Sequence, residues 1–418
     1  MKKYDEYKDS GFDWIGKIPA QWDNLRLRFV CELRNGYTPS KDNSDYWEDG
    51  TIPWYRMEDI RDTGRKLQEA KQYITEEAVK GGGLFDAGSF ILATTATIGE
   101  HALLIVDSLA NQQFTNLKIR KSLSNILSRD YFFYYLFVID DYCKATTKTS
   151  TFPAVSMELL KNCHIVFPSF CEQTAIAAYL DTHCAKIDNL ISIQQKRIAL
   201  LQELKQSVIT HAVTKGLNPN VEMKQSGVEW IGDVPKHWEL VRTRYLCNLC
   251  TGSKDTINRV DDGKYPFYVR SPKVERINTY SFDGEAILMA GDGVGAGKVF
   301  HYAVGKFDYH QRVYNFHNFK HVLGKFFYNY ISNNFKYIIE EGGAKNTVDS
   351  VRLYMIQNFM TTVPPLEEQM EICNYIEQKE KVFDTSISNA QHQIELLQEY
   401  KQSLITEVVT GKRKVTDN

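Results

Sequence analysis

Two long stretches of the chain repeat apolar residues every seven positions and contain neither Gly nor Pro inside. The first lies between Pro168 and Gly216, and the second lies between Pro365 and Gly411. Pro before a helix and Gly after it are common boundary residues, so each stretch is predicted to form one long helix. A seam sustained over four heptads is typical of a coiled coil. The predicted partner-helix seam comprises Leu180, Ile187, Ile191, Ile198 and Leu201 in the first helix and Ile376, Phe383, Ile387, Ile394 and Leu397 in the second.

The likeness of the two helices indicates how they pack. We expect them to pack on each other in an antiparallel coiled coil. The alternative is that each helix packs on its own globular domain. That alternative fits poorly with a stretch of about 45 residues, because helices of globular domains usually run 8–20 residues.

Each long helix follows a segment with short apolar runs and many aromatic residues. Helices are predicted over residues 129–140 and 323–335. The composition of the short runs is typical of strands, so each segment is predicted to be an α/β domain with a mixed or antiparallel sheet. The predicted strands cover residues 89–93, 103–106 and 117–119 in the first segment and 286–290, 298–302 and 313–316 in the second.

The chain is an internal repeat. Residues 10–28 read SGFDWIGKIPAQWDNLRLR, and residues 226–244 read SGVEWIGDVPKHWELVRTR, at an offset of 216. Residues 200–210 read LLQELKQSVIT, and residues 396–406 read LLQEYKQSLIT, at an offset of 196. Similar connectors around divergent globular bodies favour two readers of different targets, although gene duplication with drift remains the alternative.

Length and repeat together give the expected architecture. With 418 residues and 43% hydrophobic residues, the chain can bury more than one core. We predict an α+β protein: two similar α/β domains with pseudo-twofold symmetry, joined by two long helices in an antiparallel coiled coil. The predicted domains are residues 1–167 with connector 10–28, helix 168–218, residues 219–363 with connector 226–244, and helix and tail 364–418.

Neither a secretory signal nor a membrane span is predicted, and we expect a soluble, cytoplasmic protein. The eight cysteines are scattered, and Cys247 with Cys250 forms the single CxxC. A structural zinc site needs four ligands, and no second pair follows at a suitable spacing. The cysteines are therefore expected to be buried thiols, without a metal.

The charge is distributed unevenly along the chain. The net charge is −2 overall, but it is −1 for residues 24–167, +5 for residues 240–363 and −4 for residues 364–418. A near-neutral total can conceal a local patch that faces phosphates. The second globular segment is thus the more basic candidate for contact with nucleic acid.

Two pairs of loops carry residues suited to DNA. Residues 291–298 resemble a P-loop but lack its spacing, and they correspond to residues 94–99 in the first half. Small residues there permit close approach of a DNA backbone, or simply form a tight turn. Loops 144–151 and 342–347 combine Lys with hydroxyl and amide groups, which suit phosphates and base edges, or else form solvated loops. The predicted DNA-binding residues are Thr94, Thr95, Thr97, Lys148, Thr149, Ser150, Thr151, Asp292, Gly293, Lys298, Lys345, Asn346 and Thr347.

A further pair of polar residues is Gln113, in NQQF, and Gln311, in YHQRVYN. For this pair we predict a buried structural role. We find no motif for a catalytic centre: neither the [DNS]-P-P-[YFW] motif of amino-methyltransferases, nor a P-loop, nor a nuclease carboxylate cluster. The chain is therefore expected not to be an enzyme.

Order and spacing of these motifs resemble one family throughout the chain. The second half carries GVEWIGDVPKHWEL, then PPLEEQ, then LLQEYKQSLITEVVTGK, and the first half carries GFDWIGKIPAQWDN, PSFCEQ and LLQELKQSVITHAVTKG. This pattern resembles the specificity subunit of type I restriction-modification systems. PSFCEQ departs slightly from the usual Pro-Pro-Leu-x-Glu-Gln.

The resemblance implies a function. Each globular segment would be a target recognition domain that reads one half of a bipartite DNA site. The coiled coil would set the gap between half-sites and dock two methyltransferase subunits, which restriction subunits then join. S-adenosylmethionine, ATP and Mg²⁺ would belong to those partners and not to this chain. Two rival hypotheses are a stand-alone DNA-binding regulator or decoy, and an enzyme fused to its own reader.

Overall fold

The structure is a computed structural model, and it describes residues 3–147, 154–341 and 350–415. The chain forms two compact units. The first unit comprises Met1–Ile193 and Gln393–Asn418, and the second comprises Gln194–His392. Each unit therefore contains one connector, one globular body, the first part of one long helix and the last part of the other.

The first unit begins with its connector and continues into a body of short strands and helices. Its strands are β1 (Tyr7–Asp9), β2 (Lys17–Pro19), β3 (Asp23–Arg26), β4 (Cys31–Asn35), β5 (Ile52–Tyr55), β6 (Lys66–Leu67), β7 (Tyr73–Ile74), β8 (Phe90–Ala93), β9 (His101–Leu104), β10 (Leu109–Ala110), β11 (Phe114–Ile119) and β12 (His164–Phe167). Its helices are α1 (Leu27–Val30), α2 (Met57–Thr63), α3 (Arg129–Thr147) and α4 (Met157–Asn162), with 3₁₀ turns at Ser44–Tyr46, Glu76–Ala78 and Lys121–Leu123.

The second unit repeats this plan. Its strands are β13 (Met223–Gln225), β14 (Asp233–Pro235), β15 (Glu239–Arg242), β16 (Asn248–Thr251), β17 (Tyr265–Tyr268), β18 (Glu275–Ile277), β19 (Phe282–Ala290), β20 (Phe300–Tyr309), β21 (Val313–His317) and β22 (Met360–Val363). Its helices are α6 (Thr243–Leu246), α7 (Gly324–Asn334), α8 (Lys336–Glu341) and α9 (Leu353–Asn358), with a 3₁₀ turn at Thr256–Asn258. The long helices are α5 (Phe170–Lys215) and α10 (Leu366–Val409).

The two bodies share one sheet topology. The main sheet runs β4-β11-β8-β9-β6 in the first unit and β16-β21-β19-β20-β17-β18 in the second. The strands that correspond pair in the same antiparallel way, β8 with β9 and β11 as β19 with β20 and β21. Part of the extra length of the first body lies in residues 56–72, which include α2 and β6 and connect β5 to β7, whereas only residues 269–274 connect β17 to β18.

The connectors attach each body to the long helix that follows it. Strand β3 pairs with β12 and β15 pairs with β22, and each of these partners lies directly before a long helix. Trp22 and Trp238 of the two connectors are completely buried. A Cβ on Gly216, just after α5, would lie 3.2 Å from the Trp238 ring, so the tryptophan packs on the end of that helix.

Both units contain an antiparallel pair of long-helix segments. In the first unit, the Lys401 ammonium lies 2.7 Å from the Asp188 carboxylate, and Leu180 and Ile187 share a core with Leu404. In the second unit, Lys205 lies 2.8 Å from Asp384, the equivalent pair at an offset of 196. The helix pairing predicted from the heptads is thus confirmed.

The predicted seam faces inward in both helices. Its members are buried or half-buried, whereas Leu200 and Leu204, which lie outside it, are exposed. The buried seam residues are Leu180, Ile187 and Ile376; the half-buried ones are Ile191, Ile198, Leu201, Phe383, Ile387, Ile394 and Leu397. None of the helices within the described residues combines the length and apolar character that crossing a membrane requires.

Candidate nucleic-acid interface

In each unit, several strands end or begin at one edge of the main sheet, and polar turns collect there. In the first unit, Phe114 at the start of β11 pairs with Ala93 at the end of β8. In the second unit, Val313 at the start of β21 pairs with Ala290 at the end of β19. We call these turns the polar edge: Thr38, Arg56, Thr95, Asn111, Gln112 and Gln113 in the first unit, and Lys254, Asp255, Arg270, Asp292, His310, Gln311 and Arg312 in the second.

The two polar edges are built on the same turn. Asn111 accepts a hydrogen bond from the backbone N–H of Gln113 through its Oδ1, at 3.0 Å. His310 accepts one from the backbone N–H of Arg312 through its Nδ1, at 2.9 Å. A side-chain acceptor that satisfies the N–H two residues later is a local device for holding a turn. Gln113 therefore corresponds to Arg312.

This correspondence corrects the prediction for the glutamines. The backbone N–H of Asn111 donates to Tyr55, and that of His310 donates to Tyr268, which aligns Gln112 and not Gln113 with Gln311. Gln112 and Gln311 are both exposed, so the predicted buried structural role is wrong for Gln311. The reason is that a turn between two strands directs its middle side chain outward.

In both units, the structure places the first predicted loop against a residue that comes shortly after the second predicted loop. Thr95 forms a bridge with Ala154, and Asp292 forms the equivalent bridge with Ser350. Ala154 and Ser350 each lie three residues after the end of the second predicted loop, at residues 151 and 347. Lys148, Thr149, Ser150, Thr151, Lys345, Asn346 and Thr347 lie outside the described residues.

Residues of the first predicted loop differ in exposure. Thr94 is 8% exposed, and its hydroxyl lies 3.3 Å from that of Thr115, so this side chain braces the turn from beneath. Thr95 and Thr97 are half-buried. Between them Ala96 has φ of +61°, which turns the chain sharply at the tip.

The glycine-rich loop 291–298 packs against its own unit. A Cβ on Gly295 would lie 2.5 Å from the carbonyl oxygen of Arg270. A Cβ on Gly291 would lie 2.9 Å from the carbonyl oxygen of Arg312. Small residues are needed here because the backbones of three turns meet. The exposed positions that this loop presents are Gly293, Val294 and Lys298.

Opposite charges organise the polar edge of the second unit. The Asp292 carboxylate lies 3.0 Å from Arg270 Nη1 and 3.6 Å from Arg312 Nε. His310 is buried beneath them, and burial lowers the pKa of its ring, with the positive charge of Arg270 acting in the same direction. The pKa of Asp255, beside this ring, is lowered chiefly by the backbone N–H of Ile257. A buried neutral ring therefore supports a charged surface.

The sequence reasoning missed Arg270 and Arg312. These residues are far apart along the chain, and the pairing of β17 with the end of β20 brings them together. The net charge of +5 in residues 240–363 was the signal that pointed to this region. In the first unit, amide and hydroxyl groups occupy the edge, and Arg56 is engaged in an ion pair with Glu58.

A buried ionic cluster near loop 94–99 was missed as well. His101 Nδ1 lies 2.6 Å from the Asp140 carboxylate, and Arg65 bridges Asp140 and Glu100. Burial lowers the pKa of His101, while Asp140 acts against that shift. A Cβ on Gly99 would meet the carbonyl of Asp140 at 2.6 Å, so the cluster fixes this loop to α3.

Cys247 and Cys250 do not form a shared site. Cys247 is buried, and its thiol is 3.7 Å from the carbonyl of Thr243, whereas Cys250 is half-buried beside the Tyr309 hydroxyl. Across the described ranges, no group of three or more His, Cys, Asp or Glu side chains is placed to hold a metal ion.

Comparison with known proteins gives a family. The profile of the type I restriction modification DNA specificity domain matches residues 19–203 and 235–396. The chain is similar to the EcoprrI specificity subunit of a type I restriction enzyme of Escherichia coli, with 45% identity over 144 residues, which cover 34% of this chain and 35% of that protein. It is also similar to the MjaIX specificity subunit of Methanocaldococcus jannaschii, with 29% identity over 270 residues, which cover 63% of this chain and 60% of the relative.

A solved structure shares the fold. It is a chain from a study of the complex assembly and conformational transition of a type I R-M system, with a TM-score of 0.67 and 16% identity over 94% of this chain and 98% of that one. The aligned regions span about a third and three fifths of the two curated relatives. Since the two profile matches cover most of the residues, the resemblance is confirmed, and the chain belongs to the type I restriction modification DNA specificity family.

Proposed function

We propose that this chain reads a bipartite, asymmetric DNA sequence, with one half-site for each unit, and docks two methyltransferase subunits to which restriction subunits attach. The observation that carries the proposal is the repeated turn at the polar edge. Asn111 and His310 hold the same turn in the same way, and the next residue is Gln in both units, yet the residue after it is Gln113 in one and Arg312 in the other. One backbone frame with two sets of outward groups is what two readers of different sequences require.

The outward groups suit double-stranded DNA. Amides, hydroxyls and guanidinium groups are the side chains that pair with base edges, and lysines such as Lys254 and Lys298 suit phosphates. The exposed turns at the end of a sheet can enter a groove without unfolding any strand. The residues named for base and phosphate contact are thereby proposed as an interface and not as a catalytic site.

The docking proposal rests on equivalent apolar residues of the long helices. Leu200 and Leu204 in the second unit are 65% and 52% exposed, and Leu396 and Tyr400 in the first unit are both 49% exposed. Exposed apolar groups at matching places mark one contact surface in each unit. Two copies of one partner are therefore proposed, and S-adenosylmethionine, ATP and Mg²⁺ would be bound by the partners.

The test is to mix the purified chain, a cognate methyltransferase subunit, target DNA and labelled S-adenosylmethionine. Methyl transfer should need both proteins, with two methyltransferase subunits for each copy of this chain by mass measurement. L200E together with L396E should abolish assembly and leave DNA binding intact. The control K186Q, at an exposed position of α5 about four turns from Leu200, should change neither.

Three results would overturn the proposal in different ways. Methyl transfer by this chain alone would identify an enzyme fused to its reader. Sequence-specific DNA binding without any assembly would favour a stand-alone regulator or decoy. Full activity in a one-to-one complex would disprove the two equivalent docking surfaces.

A further inference from the structure

We propose that Arg312, oriented by Asp292, selects a guanine in the half-site that the second unit reads. This inference rests on the proposed function, because it assigns one base choice to one side chain of the reader. Arg312 belongs to the polar edge and is 64% exposed, so its guanidinium can reach a groove.

The backbone of Arg312 is fixed at both polar atoms. Its N–H donates to His310 Nδ1 at 2.9 Å, and its carbonyl accepts from the N–H of Gly291 at 2.8 Å. A specific contact requires a side chain that starts from a rigid position, because misplacement of the donor weakens discrimination. The starting point of this long side chain is therefore defined before DNA binds.

Asp292 faces the guanidinium from its inner side. The carboxylate lies 3.6 Å from Arg312 Nε, and no hydrogen bond occupies either Nη group of Arg312 within the described residues. The two Nη groups are the fork that donates to O6 and N7 of guanine, which is the commonest specific contact in the major groove. A guanidinium held in this orientation is better placed to contact a base edge than that of an arginine without a neighbouring carboxylate.

Arg270 makes the cluster compatible with DNA. It lies 3.0 Å from the same carboxylate, so one negative charge stands between two positive ones. Without Arg270, the Asp292 carboxylate would cancel the charge of Arg312 and repel nearby phosphates. With it, the cluster keeps a net positive charge while Asp292 still orients Arg312.

The first unit supplies an internal comparison. Gln113 occupies the place of Arg312, and Thr95 occupies the place of Asp292. An amide can donate to N7 of adenine and accept from its N6 amino group at the same time, whereas guanine presents two acceptors, O6 and N7, on the same edge. The first half-site therefore does not share this base choice, and its motif serves as a reference in the same molecule.

The experiment uses the complex of the full chain with its cognate methyltransferase and sequences the methylated sites from a random DNA library. The wild-type motif should contain a guanine in the half-site of the second unit. Arg312→Ala should reduce the preference for that guanine by about tenfold or more, with the first half-site unchanged. Arg312→Lys keeps the charge but loses the planar fork, so it should weaken the preference while it retains affinity.

Control variants separate the alternatives. Lys320→Ala removes one exposed charge beyond the opposite end of β21, and it should leave the motif unchanged. Asp292→Asn should weaken the guanine preference less than Arg312→Ala does. An unchanged first half-site motif in each variant also reports that the protein is folded.

Two outcomes would overturn the inference. If the Arg312 variants lose affinity uniformly and the motif does not change, Arg312 is a phosphate contact. If neither the affinity nor the motif of the second half-site changes, Arg312 has no role in recognition. A wild-type complex without any sequence preference would instead disprove the proposed function itself, so the two failures are distinguishable.

Discussion

At the residue scale, the two units hold equivalent turns with side chains of different chemistry. Asn111 and His310 hold equivalent turns, but an amide oxygen accepts at every pH, whereas an imidazole nitrogen accepts only when the ring is neutral. The interface of the second unit therefore depends on the protonation state of one buried side chain.

The pH dependence follows from the lowered pKa of His310. Burial disfavours the charged ring, and Arg270 adds to this effect, so the folded-state pKa lies below the unfolded value of about 6.5. The unfolded chain then binds the proton more readily. Stability from this group is fully present above about pH 6.5 and is lost as the pH falls through the folded-state pKa. Recognition of the half-site that the second unit reads should therefore weaken as the pH falls below about 6.5 and through the lowered pKa of His310.

The substitution His310→Asn gives the second unit the side chain that Asn111 provides in the first. It should remove the part of the pH dependence that arises from protonation of His310. The measurement compares the binding of DNA by wild type and variant from pH 8 to pH 5. His101 is buried with a lowered pKa too, but it is present in both proteins and so cancels in the comparison. Identical pH profiles for the two proteins would exclude this role for His310.

Lys298 should act through phosphate. It is exposed at the end of the glycine-rich loop, close to the polar edge of the second unit. Lys298→Ala should lower the slope of log K against log salt concentration by about one unit, because one released counterion is lost. Lys320→Ala is the matched control, and its slope should equal that of wild type. A wild-type slope for Lys298→Ala would place the loop away from DNA.

The sequence predicted where the turns lie better than where their side chains point. Loops 94–99 and 291–298 do lie at equivalent edges, because the alignment of the two repeats locates turns well. Thr94, however, points inward, and Arg270 was missed, because side-chain direction and long-range strand pairing are properties of the assembled sheet.

At the element scale, the Pro-x-x-x-Glu-Gln and Pro-Pro-x-Glu-Glu-Gln motifs have a structural role in both units. Gln369 is completely buried; its Nε2 donates to the carbonyls of Pro364 and His321, and its Oε1 accepts from the N–H of Leu323. Gln173 makes the same pattern of three hydrogen bonds with the backbone of its own unit. One glutamine therefore fastens the start of each long helix to the loop before α3 or α7.

Gln369→Leu should be strongly destabilising. It leaves two carbonyls and one N–H without their partner in a buried place, at a cost of about 3 kcal/mol in the free energy of unfolding. Denaturant unfolding followed by circular dichroism measures the loss. Gln378→Leu, on an exposed position of α10, should change the stability by less than about 0.5 kcal/mol. Equal effects of the two variants would contradict the fastening role.

Elements with a strong periodic pattern of apolar residues could be predicted from the sequence. The first long helix, expected within residues 168–218, is Phe170–Lys215, and helix 323–335 is Gly324–Asn334. Strand 298–302 instead extends as Phe300–Tyr309, and α2 with β6 in the first unit was not foreseen. Short strands and insertions take their form from partners distant in sequence, so local pattern specifies them weakly.

At the scale of the whole molecule, the two long helices are proposed to set the spacing between half-sites. Each passes without a break from one unit into the other, and seven added residues lengthen a helix by about 10 Å, or roughly three base pairs at 3.4 Å each. Whole heptads inserted after Gln194 and after Ala390 should lengthen the non-specific gap accordingly.

Sequencing of methylated sites measures the gap. An insertion of three residues at the same places is the control, because it moves the apolar seam to another face and should abolish activity. An active heptad variant with an unchanged gap would refute the spacing role of the helices.

The central claim is that each unit reads its own half of the DNA site. The most direct measurement replaces residues 240–363 by the corresponding domain of another family member and sequences the methylated sites of the reconstituted complex. The account predicts that the half-site read by the second unit changes and that the half-site read by the first unit is retained. A change in both halves, or in neither, would contradict it.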